Sequence, residues 1–208
     1  MRFEVLHKEK LARDIYRLSV HAPRIAVARK VGQFVVVRPG PRGERVPLTI
    51  ADADRRALSI TIVFQAVGQS TRQLAALEPG DSIGDVAGPL GTPTDVEPCG
   101  HAVALGGGVG IALIWPIARA LARQCGHVSG IISARSADLL ILEEEMRAAC
   151  DELEIATDDG SAGYHGLPTD LLGQMLESGR PVDAVYAVGP VPMMAAVSDV
   201  TRPCGVRT

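Results

Sequence analysis

Aromatic side chains are scarce in this chain: three Phe, three Tyr and one Trp make up 3% of its 208 residues. A flat ring bound here is therefore held mainly by aliphatic side chains and backbone, with little stacking. Cysteine is also thin. Cys99, Cys125, Cys150 and Cys204 stand far apart with no C-x-x-C pair, which argues against a disulfide scaffold and a zinc ribbon and fits reduced thiols in a cytoplasmic protein. The histidines, His7, His21, His101, His127 and His165, show no pair at metal-ligand spacing, so no metal site is expected. No G-x-S-x-G elbow is present, and no hydrolytic nucleophile stands out. Charge of one sign is missing too: 21 basic and 24 acidic residues give a net charge of -3, spread along the chain. Without a basic face, nucleic acid is not an expected partner. The opening MRFEVLHKEKLARD lacks the apolar core of an export signal and alternates like a strand. Residues 102–118 carry no charge, but four glycines, Pro116 and then Arg119 argue against a membrane span.

Two patterns divide what is present. From residue 1 to about 98, short β runs alternate with turn residues: Phe3 to Leu6, Ile15 to His21, Phe34 to Arg38, Val46 to Ala51, Leu58 to Val67 and Ser82 to Val86. This predicts an antiparallel barrel with one short helix at about 70–77, capped by Ser70 or Thr71 and ended by Pro79-Gly80-Asp81. From 99 to 208, nearly continuous apolar strands at about 102–105, 128–133, 153–157 and 183–188 alternate with helices at about 110–124, 139–149, 168–177 and 191–201. That is a doubly wound parallel sheet, an α/β domain. The Pro- and Gly-rich stretch 88–100 is the expected boundary. Gly205-Val206-Arg207-Thr208 reads as the entry to a fifth strand, so the last strand of the second domain is expected to be lacking.

The chemistry concentrates in turns. Gly106, Gly107, Gly108, Val109 and Gly110 join an apolar strand to an apolar helix, an arrangement that brings backbone N–H groups and a helix amino end to a phosphate. The same glycines would also serve a helix packed tightly on a sheet, and both readings stay open. Arg135, Asp158-Asp159-Gly160-Ser161 and Gly189-Pro190-Val191-Pro192-Met193 follow the other strands and should converge on one crevice. Arg135 suits a 2′-phosphate, while Asp138 three residues on suits a free hydroxyl pair, leaving NADH and NADPH equal candidates. In the first half, Arg45 precedes the hydroxyl of Thr49 by four residues on one strand, and Gly68-Gln69-Ser70-Thr71 offers a second helix start. Arg45 as a surface charge, and Ser70 or Thr71 as plain caps, are equally good accounts of those residues.

A barrel carrying R-x-P-L-T and V-G-Q-S-T, followed by GGGVGIA, TDDGS and GPVPMM, resembles the ferredoxin-NADP reductase superfamily over essentially the whole chain. Within it the resemblance is to the small FAD and [2Fe-2S] subunits of NADH-dependent ferredoxin:NADP oxidoreductases, with the dihydroorotate dehydrogenase electron-transfer subunits nearby. The resemblance implies an FAD-binding barrel followed by an NAD(P)-binding domain. It assigns Arg45, Pro47, Leu48 and Thr49 to the flavin motif, with Thr49 beside the reacting ring. It assigns Val63 and Phe64 to the strand along the flavin, and Gly68, Ser70 and Thr71 to its phosphate loop. Gly106 to Gly110, Asp158, Asp159, Gly160, Gly189, Pro190 and Met193 fall to the nicotinamide nucleotide. Leu48 occupies a place where many relatives stack an aromatic ring, Leu113 replaces a usual proline, and Val188 replaces a frequent cysteine. The [2Fe-2S] ligands of the subgroup have no counterpart among these residues. The implied activity is hydride transfer between NAD(P)H and FAD, with electrons passed to a ferredoxin or a larger oxidoreductase subunit. A non-catalytic assembly subunit and a free-standing flavin reductase are the alternatives.

Overall fold

The structure is a computed structural model that describes residues 3–41 and 43–208; Met1 and Arg2, which open the first alternating stretch, lie outside the described residues. The chain forms two compact units, Met1–Thr94 and Asp95–Thr208.

The first unit is one antiparallel sheet of seven strands: β1 (Phe3–Ala12), β2 (Ile15–His21), β3 (Phe34–Arg38), β4 (Val46–Asp54), β5 (Ser59–Gln65), β6 (Ser82–Ile83) and β7 (Asp85–Leu90). Their order is β6-β1-β2-β5-β4-β3-β7. The two edges, β6 and β7, are consecutive in the chain and separated only by Gly84, so the sheet curls into a nearly closed barrel. A Cβ on Gly84 would sit 3.1 Å from the Cα of Gly40 and 3.2 Å from the Arg38 carbonyl, which is why the corner takes glycine. The sequence predicted a single strand over Ser82 to Val86; this corner splits it in two. Alternation fills the barrel: Leu18 and Val20 from β2, Val35 and Val37 from β3, Leu48 and Ile50 from β4, and Ile60, Ile62 and Phe64 from β5 form one buried cluster. Burying each of these large side chains contributes about 1.5–3 kcal/mol.

Two helices accompany the strands. α1 (Pro23–Ala28), which the sequence pattern did not predict, starts on a proline and sets Ile25 and Ala26 into the same core. α2 (Gln69–Ala75) starts one residue before the expected position. Its N-cap is Gly68, so neither Ser70 nor Thr71 is the capping residue. Thr71 instead reaches back, its Oγ1 accepting the Gly68 N–H at 2.9 Å and donating to the Gly68 carbonyl at 3.1 Å.

The second unit is a parallel five-stranded sheet in the order β11-β10-β9-β8-β12, built from β8 (His101–Gly107), β9 (His127–Ala134), β10 (Glu152–Thr157), β11 (Tyr164–His165) and β12 (Ala184–Val188). Helices α3 (Ile111–Leu121), α4 (Glu143–Ala149), α5 (Pro168–Glu177) and α6 (Val191–Thr201) alternate with the strands. The two-residue β11 was not predicted. β8 is buried along its whole length, as a strand covered on both faces must be. On one face Val103, Leu105, Ile131 and Val185 pack with Leu172 of α5 and Val197 of α6. Sequence progression runs from β8 outward to β10 and β11, then returns to place β12 on the other side of β8, so the winding reverses between β8 and β12. Beyond β12, Arg207 forms one parallel bridge with Ala184, and the Val185 N–H donates to the Arg207 carbonyl at 2.8 Å. Among the described residues no helix is long and apolar enough to cross a membrane.

Candidate functional site

In an open parallel sheet the crevice for a ligand opens beyond the carboxyl ends of the strands where the winding reverses. Here that point lies between β8 and β12, whose register pairs Gly106 with Val188. β8 runs through Gly107, the chain makes a single 3-10 turn over Gly108–Gly110, and α3 begins at Ile111. The glycines serve different purposes. A Cβ on Gly106 would come 2.9 Å from the Cα of Ile111 and 2.7 Å from Cγ2 of Ile114, so this glycine lets helix and strand touch. A Cβ on Gly110 would lie 2.7 Å from the carbonyl carbon of Val188 and 2.9 Å from the Cα of Gly189. Gly108 is the opposite case: its φ is +56° and a Cβ there would meet nothing within 4 Å. Packing therefore explains Gly106 and Gly110, whereas Gly108 takes a left-handed conformation beside open space at the amino end of an 11-residue helix. The Ile111 N–H is taken up by the Gly108 and Val109 carbonyls, so the N–H groups that open the turn ahead of it are the ones left for a ligand, and together with that space they form a cradle suited to a pyrophosphate.

The other predicted turns assemble in two pairs. Gly107 and Gly189 face Met193 in the first turn of α6: Cβ atoms on them would come 2.5 Å from its sulfur and 2.5 Å from its methyl, and Pro190 is 3.5 Å from the former. The turns after β9 and β10 are joined by backbone bonds from the Asp158 N–H to Ala134 O and the Asp159 N–H to Arg135 O, both 3.2 Å, and by the Ala137 N–H to Ser161 Oγ at 2.8 Å. Arg135, Asp158, Asp159 and Gly160 are all exposed. Asp159 accepts from the Ser161 hydroxyl at 2.6 Å and its N–H at 3.0 Å, and these bonds hold its carboxyl below the ordinary carboxylate range. Val109 is half-buried on the glycine turn.

In the barrel, strand alternation sorts the predicted flavin residues. Leu48 is 9% exposed and belongs to the core cluster, with Val46 packed against it and Ile50 beyond, while Arg45, Pro47 and Thr49 take the other parity. Leu48 therefore packs into the barrel core. Phe64 is likewise in the core, 2% exposed and stacked on Tyr16 at 6.2 Å between ring centres. Val63 takes the opposite parity and is also buried. Arg45 lies just before β4, not on it as expected, and its side chain is 64% exposed with a loose 3.8 Å contact to Asp85. Such a contact contributes about 0–1 kcal/mol, so the guanidinium is free to meet an anion. Ser70, buried at the start of α2, accepts the Glu44 N–H at 2.9 Å and so ties the helix start to the segment carrying Arg45. Gly68 leaves its side open, with only Thr71 Oγ1 at 3.8 Å from a built Cβ. Sequence reasoning missed Arg38. It pairs in register with Asp85, and its Nε is buried without a hydrogen-bond partner among the described residues. Two arginines near the single carboxylate of Asp85 give this edge an excess of positive charge that suits a phosphate-bearing ligand.

A further correction concerns the histidines. His101 and His127 are 26 positions apart in sequence yet pair directly across β8 and β9, with ring centres 4.8 Å apart. The signal was present as a repeated Cys-Gly-His, residues 99–101 and 125–127, at the entry to two neighbouring parallel strands.

No family model matches the chain. It is 39% identical over 203 residues to a Thermotoga maritima protein named dihydroorotate dehydrogenase B (NAD(+)), electron transfer subunit homolog, covering 98% of this chain and 71% of that protein. The electron transfer subunit of dihydroorotate dehydrogenase B from Bacillus caldolyticus is 33% identical, over 95% of this chain and 77% of its own length. Among solved structures, an NADH-dependent reduced ferredoxin-NADP oxidoreductase, described for flavin-based electron bifurcation, superposes with a TM-score of 0.92 at 37% identity, over 99% of this chain and 74% of that one. Phthalate dioxygenase reductase, at 22% identity, shares the fold, with a TM-score of 0.75 over 97% of this chain and 64% of its own.

Proposed function

The chain belongs to the family of dihydroorotate dehydrogenase B electron-transfer subunits, of ferredoxin-reductase-like fold, and on that premise we propose that it is a flavoprotein oxidoreductase subunit. In this reading the barrel unit holds FAD and the parallel-sheet unit holds NADH or NADPH. When bound, this pair supplies hydride transfer and the step down from two-electron to one-electron chemistry, so the protein needs no acid–base triad. The chain's own residues bind and orient. Arg45, with Arg38 behind it, meets the flavin pyrophosphate, the N–H groups at the start of α2 below Gly68 meet its phosphates, and Thr49 offers a hydroxyl on the outer face of β4. Gly108 and the first turn of α3 receive the nucleotide pyrophosphate. Met193, Pro190 and Gly189 wall the space beside Gly107, and Arg135 or the Asp158–Gly160 turn faces the adenosine side. Electrons leave to a larger oxidoreductase subunit or a ferredoxin in a cytoplasmic setting.

The observation that carries the reading is Gly108, left-handed and open, at the reversal of the sheet beside the α3 amino end. The test is to incubate the purified chain with FAD, remove the excess, and add NADH or NADPH without oxygen. A retained yellow chromophore that bleaches is expected, with faster electron delivery to ferredoxin or a copurifying subunit than to ferricyanide. A chain that stays colourless after FAD would overturn the proposal. Retained flavin that neither nicotinamide reduces would mark an assembly subunit.

A further inference from the structure

The paired histidines lie at the opposite end of the parallel sheet from the dinucleotide turns. They are joined there by Glu152, the first residue of β10, and one ligand atom from each of His101, His127 and Glu152 lies within 4.8 Å of the other two. His101 is buried and His127 and Glu152 are partly exposed. We propose that His101, His127 and Glu152 form a binding site for one divalent transition-metal ion of the zinc class, with its remaining positions open to solvent.

The hydrogen bonds outside the cluster set both rings for ligation. His101 Nδ1 is 3.0 Å from the Pro181 carbonyl, which can only accept, so the ring proton sits on Nδ1 and the lone pair on Nε2 points inward. Asp151 Oδ2 stands 3.5 Å from His127 Nδ1, and it is itself fixed by the Val128 N–H at 2.8 Å. His127 Nε2 is then directed to Glu152 Oε1 at 3.3 Å. A backbone carbonyl behind one histidine and a carboxylate behind the other are the outer partners that orient metal-binding imidazoles.

The Ser129 hydroxyl stands 2.6 Å from Glu152 Oε1 and 2.8 Å from His101 Nε2, bridging the carboxylate and the imidazole, and it must turn aside when an ion binds Nε2. The surrounding charge favours a cation: Asp151, Glu152 and Asp183 outnumber Arg180, with Asp183 accepting the His101 N–H at 2.8 Å. Arg180 donates to Glu152 Oε1 at 2.8 Å and must withdraw when an ion enters. Its side chain is 57% exposed, so the way out is open. A cavity of about 310 Å³ lined by Gly100, His101, His127, Arg180, Pro181 and Asp183 gives the access. Two imidazoles and one carboxylate with an open position match the ligand count and type that zinc takes when a coordination site is left for water.

The test titrates Zn²⁺ into the full chain in competition with a chromophoric chelator and records X-ray absorption of the loaded protein. One equivalent is expected, with nitrogen and oxygen neighbours at about 2.0–2.2 Å and no sulfur at about 2.3 Å. His127→Gln and Glu152→Gln, both at partly exposed positions, should each weaken binding at least about tenfold, and Asp151→Asn about tenfold through its hold on His127. The double change Cys99→Ser and Cys125→Ser should leave the affinity unaltered. Failure of the wild-type chain to retain zinc overturns the site, as does binding that survives both ligand changes or depends on the cysteines. None of these outcomes bears on flavin binding.

Discussion

Two alanine substitutions two residues apart, at Gly108 and Gly110, separate the roles of the glycine turn. Gly110→Ala places a methyl 2.7 Å from the Val188 carbonyl carbon and 2.9 Å from the Gly189 Cα, and both are backbone atoms that cannot rotate away. Overpacking against such atoms costs about 1–3 kcal/mol, and with no flexible neighbour the upper end applies, about 3 kcal/mol. Gly108→Ala meets nothing within 4 Å and costs only the left-handed conformation at φ +56°, about 1–2 kcal/mol. The stiffer unfolded chain returns about 0.4–1 kcal/mol of that, leaving a net loss near 1 kcal/mol. Its methyl, however, projects into the cradle, so affinity for NADH and NADPH should fall at least tenfold, about 1.4 kcal/mol. Trp115, the only tryptophan, lies in α3 immediately after the turn, so urea unfolding followed by its fluorescence reads the stability of the unit concerned. Nucleotide titration of both variants reads the other half. A Gly108→Ala protein that binds both nucleotides as tightly as wild type, or a Gly110→Ala protein of undiminished stability, would refute the division of labour.

Arg45→Gln should lower FAD retention after gel filtration about tenfold while leaving the unfolding midpoint within about 0.5 kcal/mol of wild type, since the side chain is exposed and its contact with Asp85 is loose; unchanged retention removes Arg45 from the flavin site. Arg135→Ala should weaken NADPH binding about tenfold relative to NADH, read as the ratio of dissociation constants, and an unchanged ratio means that the residue does not face a 2′-phosphate. For Asp159 the folded-state pKa is lowered below 3.8 by the bonds from Ser161, so its contribution is fully present above pH 3.8 and is lost as the pH falls through the lower folded value. The Ser161 amide resonance should titrate with a midpoint below 3.8, and a midpoint at or above it contradicts the hydrogen-bonded turn.

How much of this was legible follows from what each element needs. β2 and β3 were predicted to the residue because their alternation is clean and turn residues bound them on both sides. α5 and α6 were legible from a proline in the first turn of each, followed by an apolar stripe. α1 escaped because Pro-Arg-Ile-Ala-Val-Ala is too short to complete two turns of helical period, and it is held by the barrel core it plugs. The glycine turn was visible because close approach at Gly106 and Gly110 and a left-handed φ at Gly108 each favour glycine. The inward parity of Leu48 and Phe64 was legible as well: the run Val46, Leu48, Ile50 alternates inward, and Phe64 follows Ile60 and Ile62 in the same sense. Arg38 could not be read at all, because its significance is a buried Nε without an acceptor, a property of packing and not of pattern.

The histidine cluster shows a different limit. Local spacing finds metal ligands on one helix or one hairpin, where a few positions separate neighbours, but a parallel sheet inserts a whole helix between adjacent strands. His101 meets His127 across α3, and Ser129 meets Glu152 across α4, because each pair shares a level in the register. At the carboxyl ends that common level gathers glycines and helix starts, which act through backbone N–H groups. At the amino ends it gathers side chains, with no helix dipole to favour an anion and with carboxylates from successive strands left to find a cation. One parallel register thus sorts the sheet into an end suited to phosphates and an end suited to a metal, and comparing residues at equal distance from successive strand starts is how the second end can be found from sequence.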